Sequence, residues 1–222
     1  MRGVFVSGTG TEVGKSVVAA VIAAALVRGG ESVAVFKPAL TGLDQPGEPD
    51  HELLRRASGS DQDDDGIAPY RYRQPLSPHL AAELEGARID PGLLVERARG
   101  AAAAADAIVC EGVGGLLVPL TPGYLVRDLA VDLELPLVIA AAPGLGTINH
   151  TLLTVEAARA VGLEVAGVVL TPWPGEEGPL ERSNLETIAA LGRVPVEPLG
   201  RIDLERPEGW PVPVVAGAVA PA

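Results

Sequence analysis

The stretch Gly8-Thr9-Gly10-Thr11-Glu12-Val13-Gly14-Lys15-Ser16 determines how the rest of the chain is interpreted. It follows a short apolar run, Val4-Phe5-Val6, and precedes a long apolar segment of small residues from Val17 to Val27. This order predicts a buried strand, a glycine-rich loop and a helix. The loop amides and the positive end of the helix would bind phosphate. Lys15 would then reach a terminal phosphate, and the hydroxyl of Ser16 would bind Mg²⁺.

The spacing of this loop differs by one residue from the common phosphate-loop pattern. The pattern G-x-x-x-x-G-K-[ST] places its first glycine where Thr9 stands, whereas the chain has its glycine at Gly8. A Gly-Lys-Ser sequence also occurs by chance at helix starts that bind no ligand. The position of the loop directly after the first strand favours the phosphate-binding interpretation.

The composition predicts one domain and argues against several classes of protein. Of the 222 residues, 47% are hydrophobic and only 3% are aromatic, so Ala, Val and Leu must build the core. The formal net charge of −12 argues against a nucleic-acid partner, because nucleic acids bind basic surfaces. The lone Cys110 excludes an intramolecular disulfide and a cysteine zinc cluster. Neither a secretory signal nor a membrane-spanning stretch is recognisable, so we expect a cytoplasmic protein without a membrane partner.

Strands and helices alternate along the sequence. Strands are predicted at 3–7, 32–36, 107–110, 137–142, 165–170 and 194–196, and helices at 15–28, 77–85, 91–105, 124–133, 144–161 and 180–191, with a further short helix starting at 50. This alternation predicts a single α/β domain of the P-loop type over residues 1–222. Its central sheet would be mostly parallel, with helices on both faces. The tail after Pro207 has no predicted conformation.

Several polar residues are expected at the ligand-binding edge of such a sheet, where its strands end. Lys37 follows the second strand, and the only other lysine is Lys15. Glu111 ends a buried strand and is a candidate for the second carboxylate of a P-loop Mg²⁺ site. Asp50 stands at a helix start, where an acid is equally well explained as a cap or a dipole partner. The glycine-flanked helix start at 144–149 would suit a carboxylate or phosphate, although this signal is weak alone.

Five motifs together make the chain resemble dethiobiotin synthetases over nearly its whole length. They are Thr9-Gly10-Thr11-Glu12-Val13-Gly14-Lys15-Ser16, Lys37-Pro38 with Thr41-Gly42, Ser77-Pro78-His79, Glu111-Gly112-Val113-Gly114-Gly115, and Leu145-Gly146-Thr147-Ile148-Asn149-His150. The extra residue in the glycine loop is a feature of that family. The resemblance implies an ATP-dependent cyclo-ligase that closes the ureido ring of dethiobiotin, the penultimate step of biotin biosynthesis. Its substrates would be 7,8-diaminopelargonic acid, CO₂ and ATP or another nucleoside triphosphate, with Mg²⁺. The implied route runs through a carbamate and its phosphorylated anhydride.

The resemblance also implies roles for individual residues. Lys15 and Lys37 would be catalytic, and the metal ligands would be Ser16, Asp50 and Glu111. These metal ligands and Lys15 would also contact the nucleotide, together with Glu12, Val13, Gly14, Val17, Gly112, Val113, Gly114, Thr171 and Pro172. The diamine would contact Thr11, Lys37, Thr41, Gly146, Thr147 and Asn149. The family is a two-fold homodimer in which the helix start at 146–149 contributes to the substrate site of the neighbouring subunit.

The sequence differs from the family at one position, and it leaves two alternative functions open. Thr171-Pro172-Trp173 stands where many members place an asparagine that reads adenine, so the preference for a base is open. A cobyrinic-acid-type amidotransferase ATPase domain shares the fold, but usually carries a glutaminase portion for which we expect this chain to be too short. A partitioning or positioning ATPase would have a signature lysine where Gly10 stands.

Overall fold

A six-stranded parallel sheet forms the centre of the molecule in a computed structural model, which describes residues 1–219. The strands are β1 (Gly3–Gly8), β2 (Val33–Phe36), β3 (Ala107–Gly115), β4 (Pro119–Thr121), β5 (Tyr124–Leu125), β6 (Leu137–Ala141), β7 (Val165–Trp173) and β8 (Val196–Gly200). Six of them form the sheet in the spatial order β2-β3-β1-β6-β7-β8, with every neighbouring pair parallel. The other two, β4 and β5, form a separate antiparallel hairpin.

Eight helices surround the sheet in the described part of the chain. They are α1 (Lys15–Arg28), α2 (Asp50–Ser58), α3 (Asp64–Ile67), α4 (Pro78–Leu84), α5 (Pro91–Ala103), α6 (Val126–Leu133), α7 (Thr147–Arg159) and α8 (Pro179–Gly192). Two 3₁₀ segments, Pro207–Gly209 and Val214–Val219, follow β8. Within residues 1–219, the structure contains no helix with the length and apolar composition that crossing a bilayer requires.

The sheet separates two hydrophobic cores because side chains alternate between its faces. In β1, Val4 and Val6 belong to the core that contains α1 and α2, whereas Phe5 belongs to the core that contains α5 to α8. All three residues are fully buried, as expected for a parallel strand covered by helices on both sides. The predicted fold class, a mostly parallel sheet with helices on both faces, is therefore confirmed.

The segment after β8 lies against α1 and closes one face of the molecule. Arg28, at the end of α1, donates hydrogen bonds to the carbonyl oxygens of Pro207 and Trp210 at 2.9 and 3.0 Å. Val215 packs closely against Gly167 of β7. A Cβ atom added to Gly167 would lie 2.4 Å from Cγ1 of Val215. The tail, which had no predicted conformation, is thus ordered by contacts with distant parts of the chain.

Polar side chains lie along both outer strands of the sheet. Beside β2, the amide of Gln62 accepts a hydrogen bond from the backbone nitrogen of Val35 at 2.8 Å and donates one to its carbonyl at 3.0 Å. In β8, the carboxylate of Glu197 accepts hydrogen bonds from the backbone nitrogens of Val214 and Val215, in the segment that follows the strand, at 2.8 and 2.9 Å. Side-chain groups thus satisfy or restrain the backbone at the margins of the sheet.

The structure confirms the predicted alternation of elements and corrects several boundaries. The stretch 111–115 continues β3, because Gly8 pairs with Gly115 where β1 and β3 end. The last strand begins at 196, where the predicted strand ends, and β7 continues to 173, three residues beyond the predicted end at 170. The hairpin and α3 were not predicted. The extent of the domain over 1–222 stays a prediction, and residues 220–222 lie outside the described residues.

Candidate active site

A cavity of about 540 Å³ opens at the edge of the sheet where β1, β2 and β3 end. Twelve of the residues that the sequence singled out line it: Thr11, Glu12, Gly14, Lys15, Ser16, Val17, Lys37, Thr41, Asp50, Glu111, Val113 and Gly114. These residues come from parts of the sequence more than a hundred positions apart, from Thr11 to Gly114. The parallel topology brings them together because it places the carboxyl ends of the three strands side by side.

The glycine loop has the backbone conformation that an anion-binding loop requires. Gly14 has a φ of 84°, and a Cβ atom there would lie 2.6 Å from Cγ2 of Thr171, so both the backbone angle and the available space favour glycine. Glu12 also lies in the left-handed region, with a φ of 59°. No side chain caps the start of α1 in the described structure, which leaves its first amides available to an anion.

Lys15 lies over this loop. Its ammonium group donates a hydrogen bond to the carbonyl oxygen of Gly10 at 2.8 Å. Burial lowers the pKa of Lys15, although the nearby carboxylate of Glu111 partly opposes this shift. An anionic ligand at this loop would stabilise the charged form of Lys15, because it supplies negative charge that the protein itself only partly provides.

The end of β2 meets the middle of β3 in a buried ion cluster. The ammonium group of Lys37 lies 2.6 Å from Oε1 of Glu111 and 2.9 Å from Oδ2 of Asp50. The hydroxyl oxygen of Ser16 lies 2.8 Å from Oδ1 of Asp50 and 2.8 Å from Oε1 of Glu111. The side chain of Glu111 is fully buried and that of Lys37 nearly so. One lysine, one hydroxyl group and two carboxylates therefore converge on a single point.

Lys37 and Asp50 stabilise each other's charge in this cluster. Burial alone would lower the pKa of Lys37, but the charges of Glu111 and Asp50 outweigh it and raise that pKa. Burial would likewise raise the pKa of Asp50, but the ammonium group of Lys37 keeps it below its usual value. For Glu111 burial dominates, and its pKa is raised despite the contact with Lys37. The cluster thus contains a charged lysine beside an ionised Asp50.

The oxygen atoms of this cluster fit a small divalent cation. Ser16 carries a single hydroxyl proton and can donate it to only one of its two carboxylate neighbours. The second oxygen of Glu111, Oε2, is buried and has no hydrogen-bond partner among residues 1–219. A cation would satisfy both groups, and an all-oxygen set of one hydroxyl and two carboxylates suits Mg²⁺. Ser16, Asp50 and Glu111 are therefore together at the position where the sequence suggested a metal.

Seven of the residues singled out in the sequence do not line the cavity. They are Val13, Gly112, Gly146, Thr147, Asn149, Thr171 and Pro172. Thr171 contacts the glycine loop from behind, and Gly112 provides room for Val126, whose Cγ1 atom would lie 2.8 Å from an added Cβ atom. The start of α7 lies at the end of β6 and faces solvent, with Leu145 94% exposed.

The cavity also has walls that the sequence did not reveal. Leu53 of α2 and Leu204 of the segment after β8 both line it. The loop that carries Thr41 is joined to a distant stretch by backbone hydrogen bonds. One of these bonds runs from the Leu40 nitrogen to the Tyr70 oxygen at 2.8 Å. No sequence periodicity marks such irregular pairings, so only the folded chain reveals them.

Several proteins with sequences similar to this chain share one name, ATP-dependent dethiobiotin synthetase. A family model described as an AAA domain matches residues 2–211. The ATP-dependent dethiobiotin synthetase BioD of Anaeromyxobacter dehalogenans strain 2CP-1 is 47% identical over 192 residues, which cover 86% of each chain. The enzymes of the same name from Rhodococcus erythropolis and Bacillus subtilis strain 168 are 43% and 37% identical. They cover 86% and 88% of this chain, and the matches span 84% and 85% of their own lengths.

Solved structures support the fold alone, because their sequences are distant. The septum site-determining protein MinD of Pyrococcus horikoshii, complexed with Mg-ADP, aligns with a TM-score of 0.56 at 18% identity over 95% of this chain and 87% of its own. The signal recognition particle 54 kDa protein of Aeropyrum pernix, complexed with GDP, has the same TM-score at 15% identity, over 91% of this chain and 42% of its own. Together with the sequence relatives, the cavity and its ion cluster lead to one conclusion: the chain belongs to the dethiobiotin synthetase family.

Proposed function

We propose that this chain catalyses the ATP-dependent conversion of 7,8-diaminopelargonic acid and CO₂ to dethiobiotin. The names of relatives that match 84–86% of their own length support an ATP-dependent ligase of biotin biosynthesis. The observation that carries the proposal is the buried Lys37 beside Glu111 and Asp50. A reaction that joins two anions, a carbamate and a triphosphate, needs fixed positive charge where negative charge develops, and Lys37 provides it beside the phosphate loop.

The nucleotide would bind along the glycine loop. The segments 12–17 and 111–114 would contact its phosphates, with Lys15 leaving the Gly10 carbonyl for the terminal phosphate. Ser16, Asp50 and Glu111 would hold Mg²⁺, which when bound neutralises phosphate charge during transfer. Thr171, which lies against Gly14 of the loop, and Pro172 would also contact the nucleotide. ATP is the proposed co-substrate. Other nucleoside triphosphates are also candidates, because Thr171 stands where many family members have an asparagine that reads adenine.

The reaction would proceed in three steps on the bound diamine. One amine adds to CO₂ and loses a proton to give a carbamate, which Lys37 holds by its ammonium group. A carbamate oxygen then attacks the γ-phosphorus, and ADP leaves as the mixed anhydride forms. The second amine attacks the carbonyl carbon and loses a proton, and phosphate departs as the ring closes. Lys37 and Lys15 would stabilise the charge on the transferring phosphoryl group, and Thr11 and Thr41 would orient the diamine.

A second copy of the chain would complete the substrate site. At the start of α7, Gly146 and Asn149 are exposed and Thr147 is buried. These three residues would bind the carboxylate of the diamine in the neighbouring subunit. A groove of about 500 Å³ joins Thr11 to the face of α7. Exposed leucines surround it, with Leu153 56% and Leu117 53% accessible, and such an apolar face is suited to contact between copies. We therefore propose a homodimer formed through this face.

Product analysis tests the proposed reaction. The purified chain would be incubated with diaminopelargonate, bicarbonate, Mg²⁺ and each of several nucleoside triphosphates in turn. We expect dethiobiotin and diamine-dependent release of phosphate with at least ATP. The variant Lys37→Met should bind nucleotide nearly as well as the wild type and yet form product at least about 100-fold more slowly. Absence of diamine-dependent phosphate release with every triphosphate would refute the proposed reaction.

A further inference from the structure

A second cluster of ligand-type side chains lies outside the candidate active site. His51 and Glu52 in the first turn of α2, with Asp64 at the start of α3, bring three ligand atoms within 4.8 Å of one another. The Nε2 atom of His51 lies 3.7 Å from Oε1 of Glu52 and 3.7 Å from Oδ1 of Asp64. None of these three residues lines the active-site cavity.

The surroundings of His51 conflict with either form of its neutral ring. The residue is only 5% exposed, and its Nδ1 atom is buried without a hydrogen-bond partner among residues 1–219. With its proton on Nε2, the ring would face carboxylates too distant for a hydrogen bond and leave the Nδ1 lone pair unsatisfied. With its proton on Nδ1, the Nε2 lone pair would point at two negatively charged groups. A cation at Nε2 converts the repulsion at that atom into attraction, whereas the buried Nδ1–H stays without an acceptor among residues 1–219.

A neighbouring arginine orients both carboxylates. Arg55 donates to Oε2 of Glu52 at 2.7 Å, which leaves Oε1 to face His51, and it also donates to Oδ1 of Asp64, the oxygen that faces the ring. Hydrogen-bonded carboxylates of this kind are typical of metal ligands, whose outer partners hold them in place. Arg71 also lies near the ring, but its guanidinium is paired with Asp65 at 2.7 Å. Two carboxylates and one arginine leave the cluster with a net negative charge.

We propose that His51, Glu52 and Asp64 bind a divalent transition-metal ion, with Zn²⁺ as the preferred ion. One imidazole and two carboxylates form a ligand set that Zn²⁺ accepts, and a fourth position would be open to water. Water can reach it because the side chains of Glu52 and Asp64 are 43% and 50% exposed. The ion would join α2 to α3 and so hold the helix turn that begins with Asp50. This site is separate from the all-oxygen site in the cavity.

Metal binding to the whole chain tests this site. Metal-free protein would be equilibrated with Zn²⁺ in the presence of excess Mg²⁺, which occupies the oxygen site, and bound zinc would be measured by elemental analysis. Titration with Co²⁺ would be followed by its visible absorption, which reports a nitrogen ligand and low coordination number. We expect one bound ion per chain and a Zn²⁺-dependent rise in melting temperature, because an ion that binds only the folded chain stabilises it.

Variants assign the bound ion to these residues. His51→Gln and Glu52→Gln should each weaken Zn²⁺ binding by at least about tenfold. His150→Gln, which changes an exposed histidine on α7, is the matched control and should bind as the wild type does. If His51→Gln fails to fold, the more exposed Glu52→Gln still tests the site. The proposal is overturned if the wild type binds no zinc under these conditions, or if either His51→Gln or Glu52→Gln retains wild-type affinity.

Discussion

Replacing each of the two lysines by methionine should have very different effects on stability. Methionine keeps the length of the apolar stem and removes the ammonium group. The pKa of Lys37 is raised in the fold, so the folded state favours its charge, and its charge stabilises the protein at any pH below about 10.5. The pKa of Lys15 is lowered by burial, so the folded state disfavours its charge, and removing that charge relieves a desolvation penalty.

The expected magnitudes follow from the partners of each lysine. Lys37→Met leaves the buried Glu111 and its neighbour Asp50 without their counter-charge. Breaking such a pair from one side costs about 3–5 kcal/mol. Lys15→Met loses one hydrogen bond to the Gly10 carbonyl and gains from reduced desolvation, so the free energy of unfolding should change by less than about 1 kcal/mol.

Urea unfolding in EDTA, followed by fluorescence of the two tryptophans, measures both effects. The slope with denaturant should be the same in all three proteins, so that the midpoint reports stability. Adding Mg²⁺ should restore part of the loss in Lys37→Met, because a cation held by Ser16, Asp50 and Glu111 supplies the missing charge. If Lys37→Met unfolds within about 1 kcal/mol of the wild type in EDTA, the ion cluster does not exist as described. If Lys15→Met is destabilised by about 3–5 kcal/mol, the predicted offset between its hydrogen bond and its desolvation is wrong.

Three further measurements test the packing around the site. Gly14→Ala should weaken nucleotide affinity by at least about tenfold in calorimetry, because the alanine Cβ would lie 2.6 Å from Thr171 in a left-handed backbone. Gly10→Ala, with no atom within 4 Å of its added Cβ, should bind normally, and equal affinities would contradict this reasoning. Burial raises the pKa of Tyr72 to about 12, so tyrosine absorbance should show its phenol neutral at pH 11. Stability should also fall from about pH 10 to 12, since only the unfolded chain loses that proton there. Cys110, fully buried with a raised pKa, should resist thiol reagents at pH 8 until the protein is unfolded, and rapid native labelling would be inconsistent with the core.

Contacts that follow from strand order could be predicted from the sequence. Lys37 and Glu111 each follow a buried apolar run, and parallel strands end at one edge, so their meeting required no knowledge of side-chain directions. The local sequence explains Asp50 equally well as a helix cap or a dipole partner, because a helix start does not reveal where its acid points, and the resemblance alone makes it a metal ligand. The structure places its carboxylate 2.9 Å from Lys37 and 2.8 Å from the Ser16 hydroxyl, and its role as a metal ligand stays a proposal.

Contacts between irregular segments could not be predicted. The hairpin of β4 and β5 contains strands of three and two residues, too short for any alternation of polar and apolar residues to be visible. The tail is ordered by the fit of Val215 against Gly167, and a glycine in a strand does not indicate which distant side chain requires the space. The walls of the cavity that Leu53 and Leu204 form depend on the same kind of long-range packing.

The polar groups along the outer strands affect how copies of this protein can associate. An outer strand with free amides invites strand addition, by which sheets grow from molecule to molecule into aggregates. The Gln62 amide already occupies both backbone groups of Val35, and Pro198 in β8 has no N–H to offer a new strand. Both features oppose the addition of a further strand, so growth of the sheet from molecule to molecule is disfavoured at Val35 and at Pro198.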